Sequence, residues 1–183
     1  GMNDGMDANG ANGKPGMHLN ITNNGGPINI VNTVTLNLTD GGPGGNATSS
    51  CATAQGGRGS ESGNFRMTAA GGIDLRGGSL IINPGRSGDG GDATVMTGPA
   101  GAAGCPGEMG RNSTATGGRG GDNLKRVFVR GNVEGLENVT IGGVRAGDGG
   151  QGDATACDGG DGIACCDGGP GGVGTATGGA GGN

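Results

Sequence analysis

Gly98-Pro99-Ala100-Gly101-Ala102-Ala103-Gly104-Cys105-Pro106-Gly107-Glu108-Met109-Gly110 places glycine on every third residue without a miss. A three-residue period is that of left-handed polyproline-II or polyglycine-II chain, which has three residues per turn, so one edge of each helix carries only glycine. Such an edge lets backbones approach closely. Extended arms free of α-helix are therefore predicted over 98–110 and over 159–174. In the second run Gly159, Gly162, Cys165, Gly168, Gly171 and Gly174 fall in register with Gly98, Gly101, Gly104, Gly107, Gly110 and position 113, one glycine having become cysteine.

Working outward, the chain repeats itself. Thr53-Ala54-Gln55-Gly56-Gly57, Thr114-Ala115-Thr116-Gly117-Gly118 and Thr175-Ala176-Thr177-Gly178-Gly179 follow one another at a spacing of 61. A second anchor is Asn46-Ala47-Thr48, Asp92-Ala93-Thr94 and Asp153-Ala154-Thr155. From it to the glycine pair takes 24 residues in two units (93 to 117, 154 to 178) but nine in the first (47 to 56), so unit one lacks most of the central glycine run. The chain reads as one repeat domain: 2–16 as the tail of an earlier unit, 17–63 as a shortened unit one, 64–124 as unit two and 125–183 as unit three.

Each unit opens with apolar residues alternating with Asn and Thr, the period of half-buried strands. These are Leu19/Ile21, Ile28/Ile30 and Val34/Leu36/Leu38; then Phe65/Met67, Ile73/Leu75 and Leu80/Ile82; then Val127/Val129, Val133, Leu136 and Val139/Ile141. Glycine triplets follow, and the Asx-Ala-Thr anchor reads as a turn in which a side-chain oxygen bonds local backbone. A second turn is expected at Ser113-Thr114 and its equivalents. Asp92 and Asp153 should then be equivalent in successive layers, and Cys105 should lie near Cys166. The expected fold class is all-β and irregular: a short solenoid of parallel strand layers in units of about 61 residues, with polyglycine-II arms stacked alongside and essentially no α-helix.

Composition narrows the alternatives. With 52 glycines but seven prolines, and triplets interrupted by apolar alternation, the chain is not collagen. Low hydrophobicity with two Phe and no Trp or Tyr is a mark of disorder, which the in-register repeat opposes. A net charge of −5 with scattered basic residues leaves no stripe to neutralise phosphates, so no nucleic-acid partner is expected. No window is apolar enough to insert in a membrane, and the N-terminus does not read as a signal peptide. Gly1-Met2 reads as an appended or excised start, and the natural chain is expected to be longer. Five cysteines point to an oxidising setting with at least one disulfide, Cys105–Cys166 and a local Cys157–Cys165 loop both being open.

Few residues are equipped for chemistry. Gly117-Gly118-Arg119-Gly120-Gly121-Asp122-Asn123-Leu124 approaches the calcium-binding nonapeptide, but that site needs tandem copies and the equivalents at 56–61 and 178–183 shift or lack the acid. A polar turn is the expectation at Asp122. Asp89, Asp92, Asp148, Asp153, Asp158, Asp161 and Asp167 lie in the glycine arms, where capping turns and keeping the slab soluble is their expected work rather than holding a hard cation. His18 is the only histidine, at an outward position beside Leu19, and Glu134 and Glu137 are the nearest glutamate pair. No Walker-type glycine loop is present. No catalytic, cofactor-binding or metal-ligating residue is assigned, and no enzyme activity is expected. Sequons at Asn20, Asn37, Asn46, Asn112 and Asn138 arise from alternating Asn and Thr.

The runs 98–110 and 158–171 resemble two groups built on glycine triplets, the springtail antifreeze proteins and the glycine-rich tip adhesins of bacteriophage long tail fibres. The first resemblance implies a polyproline-II bundle with a flat face toward ice. The second implies a polyglycine-II sandwich displaying receptor-binding loops. The strand blocks make the chain look more like a repeat segment of a long extracellular or virion surface protein. The expected role is thus a non-catalytic structural or adhesive module, with ice binding as the alternative. Expected partners are further copies or flanking repeats and a cell-surface glycan or receptor.

Overall fold

The computed structural model describes residues 6–98, 104, 106–122, 127–161, 163 and 167–183. It is a right-through stack of parallel strands. The first turn carries β1 (Ala8–Asn9), β2 (Leu19–Asn23), β3 (Ile28–Asn29), β4 (Thr33–Asn37) and β5 (Ala47–Ser50). The second carries β6 (Thr53–Gln55), β7 (Phe65–Ala69), β8 (Ile73–Asp74), β9 (Ser79–Asn83) and β10 (Ala93–Met96). The third carries β11 (Ser113–Thr116), β12 (Val127–Arg130), β13 (Val133–Glu134), β14 (Val139–Ile141) and β15 (Gly152–Ala154), and β16 (Gly174–Thr177) follows. Equivalent strands stack into five all-parallel sheets, ordered β1-β6-β11-β16, β5-β10-β15, β2-β7-β12, β3-β8-β13 and β4-β9-β14. The one helical element among the described residues is a 3-10 turn at Leu136–Asn138.

The alternating blocks fold as their period requires. Inward residues of the second turn, Phe65, Met67, Ile73, Leu75, Leu80 and Ile82, are buried, with Leu19, Ile21, Ile28 and Leu36 covering them on one side and Val127, Val129, Val133 and Val139 on the other. Only the middle turn is sealed on both sides. Leu136 departs from the expected pattern: Val133 and Glu134 pair with Ile73 and Asp74, so Gly135 takes the place of Leu75 and Leu136 is 64% exposed. Gly135 has φ +75°, and its backbone abuts Leu75 and Arg76. A side chain there would be strained in both respects.

Between strand blocks the triplets form a slab two extended arms thick. Outgoing arms (10–16, 56–63, 117–122, 178–182) bond one another through Gly10 N–H to Gln55 O (2.8 Å), Gly56 N–H to Thr116 O (2.9 Å) and Gly117 N–H to Thr177 O (2.8 Å). Returning arms (41–46, 85–92, 146–151) do the same through Gly44 N–H to Asp89 O and Gly90 N–H to Asp148 O, both 2.8 Å. The two layers are tied by Gly57 N–H to Gly45 O, Gly91 N–H to Gly57 O, Gly118 N–H to Gly91 O and Gly150 N–H to Gly118 O, each 2.8 Å. A Cβ at Gly57 would collide with the Ala11 carbonyl, which is why glycine recurs. Dense backbone bonding here replaces the side-chain core that the composition cannot supply.

Beyond the slab, the Asx-Ala-Thr and Thr-Ala-Thr anchors are strands, β5/β10/β15 and β6/β11/β16, not the expected turns. Ala47, Ala93, Val95, Ala54 and Ala115 face inward to form a second, small-residue core, while the threonines alternate outward. The chain instead reverses at Cys51 (φ 48°), a left-handed residue between β5 and β6. The missing glycine run of unit one is this short link, compared with the segments 97–112 and 155–173 in the later turns. Described residues of those segments carry no helix and bond as triplets: Gly107 N–H to Asp167 O (3.1 Å), Gly110 N–H to Pro170 O (2.8 Å), Gly160 N–H to Glu108 O (2.7 Å) and Gly172 N–H to Cys157 O (2.8 Å). None of their described glycines has positive φ.

Two register expectations are corrected. Thr94 pairs with Asp153 and Ala93 with Gly152, so Asp92 is level with Gln151 and Asp153 lies two residues on. The offset between turns two and three drifts from 62 at Phe65/Val127 to 59 at Leu80/Val139, because the third turn has shorter links between its strands. It returns to 61 at Thr114/Thr175. The disulfide joins Cys51 to Cys157, 106 residues apart with Cα atoms at 5.8 Å, so Cys157 does not close a local loop with Cys165. Cys105, Cys165 and Cys166 lie outside the described residues.

Candidate functional site

In each arm the first two residues of a triplet turn their N–H groups into the slab, and the third points outward with no intraslab acceptor. Where the level residue one turn earlier is Asn or Asp, its side chain supplies one. Asn12 Oδ1 accepts from Arg58 N (2.9 Å), Asp40 from Arg86 N (2.6 Å), Asn46 from Asp92 N (2.9 Å), Asp89 from Asp148 N (2.8 Å), Asp92 from Gln151 N (2.8 Å) and Asn112 from Val173 N (2.9 Å). Asp89 and Asp92, with Asp40 and the sequon asparagines Asn46 and Asn112, thus cap backbone donors in the neighbouring turn. For Asp89 and Asp92 the capping runs between turns rather than within them.

Asp122, the acid of the calcium-like stretch, is engaged by cations of two turns. Arg58 Nη2 donates to Oδ2 (2.7 Å) and Arg119 Nη2 to Oδ1 (2.6 Å). Among the described residues no cluster of three or more His, Cys, Asp or Glu could hold a metal. On the opposite face Arg86 bridges Asp89 (2.8 Å) and Asp148 (3.0 Å). Glu134 belongs to a third pair set, accepting from Arg76 Nη1 at 2.8 Å, while Arg76 also chelates Asp74 through Nε (2.9 Å) and Nη2 (2.7 Å). The side-chain and backbone bonds from Arg76 hold the Asp74 carboxyl at about 2. Glu137 lies in the 3-10 turn, and His18 is exposed on the outer face just before β2.

The outer face of the β1-β6-β11-β16 sheet is regular. Thr53, Thr114 and Thr175 stand in one outward column, and Gln55, Thr116 and Thr177 in the next. Parallel strands set the columns' steps at about 4.8 Å between chains and about 6.6 Å between alternate residues along a chain. Beside them runs a trough of about 540 Å³ floored by Gly56, Gly117 and Gly178 and walled by Asn12, Arg58 and Arg119. The sequence showed these threonines only as a repeat anchor. Their alternation with alanine was the available signal that they form a strand face.

No protein-family model and no curated protein matches the chain. Among solved structures, the nine-helix polyproline type II bundle antifreeze protein of the springtail Granisotoma rainieri is similar at 18% identity, over 98% of this chain and 97% of that one, with a TM-score of 0.16. A score that low carries no argument about fold or role. No helix among the described residues is long and apolar enough to cross a membrane.

Proposed function

We propose that the protein is a non-catalytic structural and adhesive module of an extracellular surface or virion protein of tail-fibre type. The observation behind this reading is the way outward side chains are mounted. The arms are tied from turn to turn by backbone bonds, and many of their outward residues by Asx caps as well, so the stack is a stiff spacer presenting regular faces. The described residues of the glycine segments that follow β10 and β15 bond to one another and extend that surface beyond the strands. Repeat stacks of this kind use extended surfaces to bind and to span distance. The test is retention of protein-coated beads on cell surfaces against beads coated with a heat-unfolded sample. Retention specific to the folded protein is expected, and equal retention of both would overturn the reading.

A second reading is favoured by one specific feature, the threonine columns at Thr53/Thr114/Thr175 and Thr116/Thr177. A flat hydroxyl and methyl array at fixed steps can order water, as an ice-binding face must. The array lies on the strands rather than on a polyproline-II face. Thermal hysteresis at micromolar protein that disappears in Thr114→Lys would establish ice binding in place of adhesion, and round, unshaped crystals would remove it.

A further inference from the structure

On the outer face of the β2-β7-β12 sheet, two outward columns meet. His18 and Asn64 precede the strands, and Asn20, Arg66 and Phe128 are level in the next column. Between them lies an open cavity of about 490 Å³ whose floor includes Leu19. That volume is in the range of small-ligand sites, which combine an apolar or aromatic surface with a few convergent polar groups. Phe128 is 46% exposed, whereas the chain's other aromatic, Phe65, is fully buried. An exposed ring on an outward strand position is not required by the core.

The charge of the face is the second observation. The chain carries −5 overall, yet the outward positions of β2, β7 and β12 (Asn20, Thr22, Arg66, Thr68, Phe128 and Arg130) include no acid. Arg58, Arg76, Arg86 and Arg119 are all spent on carboxylates. Arg66, like Arg111, Arg130 and Arg145, has no carboxylate partner among the described residues, and it differs from them in being stacked, its guanidinium carbon 5.1 Å from the Phe128 ring centroid. The stacking holds the planar fork in place without using its donors. Beside it, the Thr22 hydroxyl donates to Asn20 Oδ1 (3.3 Å), which leaves the Asn20 amide hydrogens for another acceptor.

From this we infer that the cavity between His18 and Phe128 binds an acidic sugar residue of a glycan, the carboxylate on Arg66 and the ring's apolar face against Phe128. The inference rests on the adhesive reading and names the ligand class of that surface. An Arg fork meets a carboxylate through two parallel bonds, and an aromatic edge with an apolar floor takes the C–H face of a pyranose. Asn20 and His18 at the opposite lip are placed to meet hydroxyls. The chain's net negative charge repels a long polyanion, so a single carboxylate within a mostly neutral glycan suits the site better than nucleic acid or a sulfated polymer.

Solution binding is measured by ligand-observed NMR with sodium glucuronate, sialyllactose and lactose. The two acidic sugars should bind at least tenfold more tightly than lactose. Arg66→Gln should remove that preference, Phe128→Ala should weaken all three, and Arg119→Gln, whose side chain is tied to Asp122, should change nothing. Melting curves of each variant establish that the fold is intact, which the exposure of both side chains favours. Equal affinity for acidic and neutral sugars, acidic-sugar binding indifferent to Arg66→Gln, or Arg66-dependent binding of heparin without either acidic sugar would each overturn the proposal. Bead retention separates it from the broader reading. Retention undiminished in Arg66→Gln, with no sugar binding, removes this site and leaves adhesion standing; Arg66-dependent sugar binding without retention does the reverse.

Discussion

Cys51, which ends the first turn, is bonded to Cys157, which follows the last strand of the third, and Gly98 of the intervening turn donates its N–H to Cys51 Sγ at 3.0 Å. Among the described residues this covalent link joins the first turn to the third on the small-residue side, where alanines offer little apolar area.

Closing a loop of 106 residues restricts the unfolded chain by about 4–5 kcal/mol in the chain-entropy account. Cys51→Ser with Cys157→Ser should lower stability by about 2–5 kcal/mol, read from urea midpoints. Both sulfurs are buried, so mild reductant should act slowly on the folded protein and quickly in denaturant. Equal stability with and without the bond would count against the pairing.

Glycines divide into two classes with opposite expected responses to alanine. At Gly57 and Gly88 an added Cβ meets the Ala11 and Gly42 carbonyls of the neighbouring arm in the same layer, and Gly→Ala should cost several kcal/mol or prevent folding. At Gly25 and Gly143 nothing lies within 4 Å, and the same change should be neutral or stabilise by about 0.4–1 kcal/mol. Thermal melts of the four variants check this, and similar losses at all four would refute the slab.

Asx caps between turns predict a specific polar dependence. Asn46→Ala leaves the Asp92 amide without its acceptor and should cost about 0.5–2 kcal/mol, in line with other side-chain caps of backbone donors. Asn46→Asp keeps the acceptor and should recover most of the loss. Failure of Asp to recover more than Ala would mean the cap contributes nothing.

Asp74 gives a pH signature. Its carboxyl lies at about 2 in the folded protein against an ordinary 3.8, because Arg76 bonds the ionised form. A lowered folded value adds stability that is complete above the unfolded value and is lost as pH falls through the folded one. The stability difference between the native chain and Asp74→Asn should therefore shrink between about pH 4 and pH 2. The pair is exposed, so the effect is small; a difference constant across that window would contradict it.

How much of this was legible depends on the residue. The three-residue period announced the slab, and the Leu/Ile/Val alternation announced β2–β4 and their equivalents, because both signals are periodic and large. Ala47/Ala93 and Ala54/Ala115 alternate as well, but an alanine core has little hydrophobic contrast, and Asx and Thr beside glycine read as turn chemistry. The slip that sets Asp92 beside Gln151 was hidden because Asp-Ala-Thr occurs in both turns, and a two-residue shift preserves the strand face. Cys51 and Cys157 share no repeat offset, so spacing alone could not pair them. The cavity beside Phe128 depends on lateral neighbours, Asn20 and Arg66, that only the register brings together.

Amide hydrogen exchange resolved at single glycines tests the central claim, a hydrogen-bonded polyglycine slab joining two strand stacks. The amides of Gly57, Gly91, Gly118 and Gly150 donate within the slab and should exchange as slowly as those of Met67 and Ile82 in the core strands, with Gly143 fast. Exchange of the four slab amides at the rate of Gly143, while Met67 and Ile82 stay protected, would contradict it.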